Sequence, residues 1–109
     1  MRIIGFSQKW DKLTRNTFTT FRFPRKDKDW FEGERVKVVL QPRSKHRETL
    51  GEALIISKIP TRIPDITLDE AQADGFQDAS LMTAWLIKAY GHAKITSSTI
   101  MNKLTLKWC

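Results

Sequence analysis

Apolar and polar residues alternate along several short stretches of the chain, which is the pattern of half-buried β-strands. The strands predicted in this way cover residues 3–6, 17–22, 36–40, 52–59 and 104–108. Residues 92–101 follow no clear pattern and leave room for a sixth short strand. The strand at 52–59 has an unbroken apolar centre at 54–56, which is typical of burial on both faces, and Pro60 is expected to end it.

Helical signals begin in two short segments. Ser7 is expected to cap a short helix that runs to about Arg15. Thr67 and Glu70 have the spacing of a capping box, in which each side chain binds the backbone amide of the other residue. This pair predicts a short helix over residues 68–74.

A longer amphipathic helix follows, capped by Asp78 or Ser80 and ended by Gly91. Its core-facing stripe consists of Met82, Trp85, Leu86 and Ala89. Five or six short strands with two or three short helices predict one α+β domain over residues 1–109. Short strands in so small a chain are expected to close into a β-barrel or partial barrel, because closure removes exposed sheet edges.

Positive charge is concentrated in the first half of the sequence. Residues 1–47 contain 13 Lys or Arg against 5 Asp or Glu, whereas residues 48–109 contain 6 against 7. The whole chain of 109 residues carries a formal net charge of +7. Clustered cations favour a partner that carries phosphate, and nucleic acid above all.

The sequence contains few signals of metal, cofactor or membrane chemistry. It has no glycine-rich phosphate loop, HExxH or CxxC motif, and His46 and His92 are far apart without evident partners. Cys109 is the single cysteine, so no internal disulfide or Cys/His zinc site is expected. No long apolar run or signal peptide is evident. We therefore expect a cytoplasmic protein with no metal, cofactor or membrane partner.

The strand at 17–22 carries the most suggestive polar residues. Alternation places Phe18, Thr20 and Arg22 on one face, with Thr17, Thr19, Phe21 and Phe23 on the other. A hydroxyl and a guanidinium beside an aromatic ring can line a pocket for a planar polar ligand. The alternative is an edge strand on which Thr20 and Arg22 are simply solvated.

The order of these motifs resembles the ASCH domain, a family of PUA-like barrels. The resemblance covers about residues 6–108 and is most specific at Ala71-x-x-Asp74-Gly75-Phe76, with the strand motif Thr17-x-x-Thr20-x-Arg22 preceding it. It implies a small β-barrel with a cleft between barrel and helices, used for RNA or nucleoside recognition.

One branch of the family, the 4-acetylcytidine amidohydrolases, has the strand motif Gly-x-Lys-Thr-x-Thr-x-Arg. There, catalysis is attributed to the lysine, the second threonine and a later carboxylate. The resemblance assigns the threonine to Thr20 and the carboxylate to Asp74, but Thr17 occupies the lysine position and Arg15 the glycine position. A second threonine cannot activate a threonine hydroxyl, so the sequence favours binding over hydrolysis. Nothing in the sequence positions Lys9 or Lys12 to replace the lysine.

Three functions follow from these observations. The first is a binding module for RNA, a nucleoside or a nucleotide. Its expected ligand-binding residues are Trp10, Thr17, Phe18, Thr20, Arg22 and Asp74, and its expected phosphate-binding residues are Arg25, Lys26 and Lys28.

The second function is a hydrolase acting on RNA or a modified nucleoside, with Thr20 and Asp74 as the reacting pair. The third is a structural or protein-interaction domain, in which Arg22 and Asp74 form a buried ion pair. Trp30, Trp85 and Trp108 are expected to pack in the core in all three.

Overall fold

The computed structural model describes all 109 residues and is an α+β fold, which confirms the predicted class. Five strands form one mixed sheet, and two α-helices are inserted between the fourth and fifth strands. The strands are β1 (Arg2–Phe6), β2 (Thr17–Arg22), β3 (Arg35–Leu40), β4 (Glu48–Arg62) and β5 (Ile100–Trp108), and the helices are α1 (Leu68–Ala73) and α2 (Ala79–Tyr90). Neither helix has the length and apolar character needed to cross a lipid bilayer.

The sheet is open and does not close into a barrel. Its strand order is β1-β3-β4-β5-β2, with β1 and β3 parallel and the other neighbours antiparallel. A closed barrel would need backbone hydrogen bonds between the edge strands β1 and β2, and these two strands form no such ladder. Instead the Arg22 side chain spans the gap between them, where its Nη2 donates a hydrogen bond of 2.7 Å to the Gly5 carbonyl oxygen. We call this gap the seam.

Strand alternation sends side chains into two separate apolar clusters. Phe18 and Leu106 belong to a cluster of eleven buried residues drawn from the strands and the segments between them. Phe21 and Met101 belong to a second cluster of eight, which includes Met82 and other residues of the helical region. The predicted division of β2 into a Phe18 face and a Phe21 face is therefore confirmed.

Strand β4 is longer than predicted and continues through Pro60. Backbone pairing with the β3 side ends at Ile55, so the following residues have β5 on one side only. On the free side, the Lys58 amide donates to Glu32 Oε1 over 3.2 Å, and alternation directs the Pro60 nitrogen to the same side. A proline there breaks no ladder hydrogen bond. Ile56 is 44 % exposed, so the expected burial on both faces is also wrong.

The helical predictions succeed where the signal is local. The Thr67–Glu70 capping box is present with both reciprocal hydrogen bonds, and Asp78 caps α2 by accepting from the Leu81 amide. Residues 7–15 contain only a 3₁₀ turn at Asp11–Thr14, because Ser7 provides no cap and the chain stays extended at Trp10. Residues 92–99 are irregular, as expected, and β5 begins at Ile100.

Candidate functional site

A cleft with a volume of about 930 Å³ lies over the seam. Its walls are the ends of β1 and β2, one face of α2, the residues just after α1, and the turn that follows β3. Of the residues predicted to bind ligand, four line it: Trp10, Thr20, Arg22 and Asp74. These residues lie far apart in the sequence. The Asp11–Thr14 turn packs against β2, and the Lys12–Asp74 ion pair joins this turn to the end of α1.

Thr17 and Phe18 do not reach this cleft. Thr17 is exposed at the opposite end of β2, where it pairs with Lys107. Phe18 is buried beneath the sheet, with ring centroids 6.1 Å from Phe6 and 5.2 Å from Trp108. The structure therefore does not bring Thr17 and Phe18 together with the other four. Alternation identifies a face of the strand without showing how far along it the cleft extends.

Lys12 and Asp74 form an ion pair inside the cleft. Lys12 Nζ lies 2.6 Å from Asp74 Oδ1, and the two residues are only 3 % and 6 % exposed. Burial raises the pKa of the Asp74 carboxyl, and the Lys12 charge partly offsets that rise. Burial likewise lowers the pKa of the Lys12 amine, with the Asp74 charge opposing the change. Burial thus shifts the pKa values of the two groups toward each other.

Thr20 and Arg22 form the second polar pair of the cleft. Arg22 Nε donates to Thr20 Oγ1 over 3.1 Å, and the guanidinium lies 4.7 Å from the Phe6 ring centroid. Burial lowers the pKa of Arg22, but an arginine stays protonated at neutral pH. The Arg22–Asp74 ion pair expected of a structural domain does not form, because Asp74 is paired with Lys12.

Three aromatic rings, Trp10, Phe76 and Trp85, form one wall of the cleft, which we call the aromatic wall. Their centroids lie 5.4 to 5.9 Å apart. Gly75 has a φ of +108°, and a Cβ added there would meet the Trp10 ring at 3.3 Å. Glycine therefore permits both the turn after α1 and the close approach of Trp10. Trp85 packs as expected, but it also faces the cleft.

The predicted phosphate-binding residues lie outside the cleft on the loop after β2. Arg25, Lys26 and Lys28 are all exposed. Arg25 lies 5.5 Å from the Trp30 ring centroid, and Lys28 lies 5.1 Å from that of Phe31. This loop therefore presents cations together with aromatic surface, next to the end of β2 that carries Arg22.

Arg43 and Ser44, in the turn after β3, also line the cleft, although no sequence pattern assigned them to it. The parallel pairing of β1 with β3 sets Phe6 beside Leu40, so the turn after β3 lies next to the end of β1. A pattern of alternation within each strand carries no information on which strands are neighbours. Lys12 was missed for a related reason, since its partner Asp74 is 62 residues away.

The cleft offers aromatic rings and hydrogen-bonding groups together, an arrangement that can bind a flat, polar ligand.

No group of three or more His, Cys, Asp or Glu side chains is arranged to hold a metal ion. The resemblance to the ASCH domain stays a prediction, since no family model, no curated protein and no solved structure matches this chain.

Proposed function

We propose that the chain is a PUA-like ASCH module of the cytoplasm that binds a nucleoside unit, free or within RNA, in the cleft. The observation that carries the proposal is that the aromatic wall and a set of hydrogen-bonding side chains line one cavity. Recognition of unpaired bases relies on this combination, in which rings stack on the base face and polar groups bind its edge or the ribose.

The base would stack on the aromatic wall, where Trp10 is half-buried and so retains accessible ring surface. Thr20 Oγ1 accepts a hydrogen bond from Arg22 and retains its own proton to donate. Asp74 uses one carboxylate oxygen for Lys12, and its second oxygen can accept from a base or ribose donor. The polar groups thus offer both a donor and an acceptor to the ligand.

Flanking nucleotides of an RNA would meet the loop after β2. Arg25, Lys26 and Lys28 are exposed there, and Phe31 adds exposed ring surface. Cations interleaved with aromatic rings are the usual surface of proteins that bind single strands. Contacts with this loop would add to the affinity for RNA, and a free nucleoside would not make them.

Replacing Trp10 with alanine is expected to weaken binding of the preferred ribonucleoside by about 10-fold or more, because loss of one stacking ring costs about 1–3 kcal/mol. Titration calorimetry with the four common ribonucleosides and a short single-stranded RNA measures the effect, and thermal melting verifies that the variant is folded. Phe31→Ala is the matched control for the nucleoside titrations, since it removes an exposed ring outside the cleft.

Equal nucleoside affinity in Trp10→Ala and wild type would contradict stacking on the aromatic wall.

The short RNA should also bind more weakly as salt is added, with a log–log slope of about 0.7 per phosphate contacted. An affinity that does not change with salt would remove the loop after β2 from the proposal.

Hydrolysis of a modified nucleoside is a second candidate, favoured by the buried Lys12–Asp74 pair. The family lysine is missing at Thr17, yet Lys12 supplies a lysine of lowered pKa to the same cleft as Thr20. A lowered pKa makes it easier for Lys12 to lose its proton, and the neutral amine can then take up a proton from a hydroxyl that attacks an amide. The attack would transfer the acetyl group of 4-acetylcytidine to Thr20 Oγ1, and the proton taken up by Lys12 would pass to the amine of the departing cytidine. Water would then hydrolyse the acetyl ester to acetate and restore the Thr20 hydroxyl, with Asp74 in the role that the family resemblance implies.

Under this candidate function, Thr20→Val is expected to abolish acetate release from 4-acetylcytidine, because valine has the shape of threonine without the attacking hydroxyl. Thr17→Val is the control, since it makes the same change on the same strand outside the cleft. Chromatography of the nucleoside products measures turnover. Absence of turnover in the wild-type chain would end the hydrolase candidate for this substrate and leave the binding proposal intact.

A further inference from the structure

The cations and carboxylates that line the cleft do not balance. Lys12, Arg22 and Arg43 contribute three positive charges, and Asp74 contributes one negative charge. Lys12 and Asp74 neutralise each other. Arg22 is bound only by the uncharged acceptors Thr20 Oγ1 and the Gly5 carbonyl, and Arg43 takes part in no hydrogen bond or salt bridge. Two arginines therefore line the cleft without a carboxylate in salt-bridge distance.

The turn that carries Arg43 is fixed to the sheet. The Gln41 amide donates to the Phe6 carbonyl over 2.7 Å, and the Ser44 amide donates to the Gln41 carbonyl over 3.0 Å. Gln41 has a φ of +47°, which is uncommon for a residue other than glycine. The first bond attaches the start of the turn to β1, and the second closes the turn on itself, which holds Arg43 and Ser44 at the rim of the cleft.

Gly5 brings this turn and Arg22 to the same place. Its carbonyl oxygen accepts the hydrogen bond from Arg22 Nη2. On the side where a side chain would stand, a Cβ would lie only 2.6 Å from Pro42 Cγ, so the Pro42 ring fills the space that glycine leaves. The two segments that carry the unpaired guanidinium groups therefore meet at one residue of β1.

Ser44 adds a hydroxyl donor beside Arg43. Its Oγ accepts a hydrogen bond of 3.1 Å from the His46 amide, which leaves the hydroxyl proton free for another acceptor. Planar guanidinium groups together with a hydroxyl donor match the oxygens of a phosphate group. A neutral nucleoside would leave these donors and charges without a partner.

We propose that the turn of residues 41–44 is the phosphate subsite of the cleft, and that the ligand is a nucleotide or a phosphorylated end or linkage of RNA. The phosphate binds Arg43 and Ser44, with Arg22 beside them, while the base stacks on the aromatic wall. This inference rests on the proposed function, because it assigns the charged part of a ligand whose base occupies the same cleft.

Calorimetric titration of each common ribonucleoside and its 5′- and 3′-monophosphates tests the inference on the wild-type chain, Arg43→Gln and Arg47→Gln. Arg47 is exposed in the same loop and does not line the cleft, so its variant makes the same change in charge outside the subsite. We expect one monophosphate to bind wild type about 10-fold or more tightly than its nucleoside. Arg43→Gln should lose that factor while keeping its affinity for the nucleoside, and Arg47→Gln should keep both.

The possible failures are distinguishable. If nucleosides, monophosphates and a short 5′-phosphorylated single-stranded RNA all fail to bind wild type, the proposed function is wrong, and the phosphate subsite is wrong with it. If only the RNA binds, its affinity should fall in Arg43→Gln and not in Arg47→Gln. If nucleosides and monophosphates bind equally, or Arg43→Gln behaves as Arg47→Gln does, the subsite is wrong and the proposed function stands. Inorganic phosphate bound alone as tightly as the monophosphate would also overturn the assignment of a nucleotide.

Discussion

Replacing Lys12 with methionine is expected to lower the free energy of unfolding by about 3–5 kcal/mol at pH 7, because the substitution leaves the buried Asp74 carboxylate without its partner. Methionine has nearly the length of lysine and fills the same space, so the loss is electrostatic and not a cavity effect. Urea denaturation followed by tryptophan fluorescence measures it. Lys9→Met is the matched control, since Lys9 is exposed and forms no ion pair.

The same variant should respond to pH in a characteristic direction. Burial already raises the pKa of Asp74, and removal of Lys12 raises it further. Between the pKa of the unfolded chain, about 3.9, and this raised value, the folded chain keeps a proton that the unfolded chain releases. The contribution of Asp74 to stability is therefore complete below that window and falls as the pH rises through it.

The deficit of Lys12→Met relative to wild type should accordingly be smaller at pH 4 than at pH 7, because a protonated Asp74 no longer needs the cation. A deficit of the same size at both values would mean that the Lys12–Asp74 pair does not control stability. If Lys12→Met has the same free energy of unfolding as Lys9→Met at pH 7, the buried ion pair does not exist as described.

Replacing Arg22 with methionine is expected to have the second-largest effect, lowering the free energy of unfolding by about 2–3 kcal/mol. The change leaves the Gly5 carbonyl without its charged donor, and one such hydrogen bond is worth about 1.5–3 kcal/mol. The longer bond to Thr20 Oγ1 adds little, because water in the cleft can replace the half-buried guanidinium there. The same substitution removes one of the two unpaired guanidinium groups from the cleft, so monophosphate affinity should fall by about 10-fold or more.

Two comparisons separate these effects. Arg15→Met changes an exposed arginine just before β2 and should be neutral in both measurements. Arg22→Lys keeps the positive charge but cannot reproduce the forked geometry, so it should restore part of the monophosphate affinity while remaining less stable than wild type. Wild-type stability in Arg22→Met would show that the seam does not depend on this side chain.

The parts of the fold that depend on neighbouring residues were predictable from the sequence. The Thr67–Glu70 capping box is complete within four residues, and the alternation in β2 assigned Phe18 and Phe21 to opposite faces. The parallel pairing of β1 with β3 was not predictable, because it depends on contacts across 34 positions that leave no periodic signal. The open seam was missed for the same reason.

The candidate site divides in a similar way. Alternation with the family resemblance assigned Thr20, Arg22 and Asp74 to one hollow, and all three line the cleft. Lys12 was missed because a lysine in a short polar segment is normally solvated, and only a carboxylate from a distant part of the chain makes its burial favourable. Arg43 was missed because the sequence does not show that its turn adjoins β1. Long-range partners therefore account for the errors in both fold and site.

The position of Pro60 has a consequence for encounters between copies of this chain. The far half of β4 has an uncovered side, and a strand in that state invites another chain to add to the sheet. Here the Lys58 amide is already engaged by Glu32, and two residues later the imide nitrogen of Pro60 carries no hydrogen. An incoming strand would find no successive donors along this stretch. A proline in a strand pattern normally predicts the end of the strand. Here Pro60 lets β4 continue and disfavours amyloid-like addition of another strand to its unpaired side.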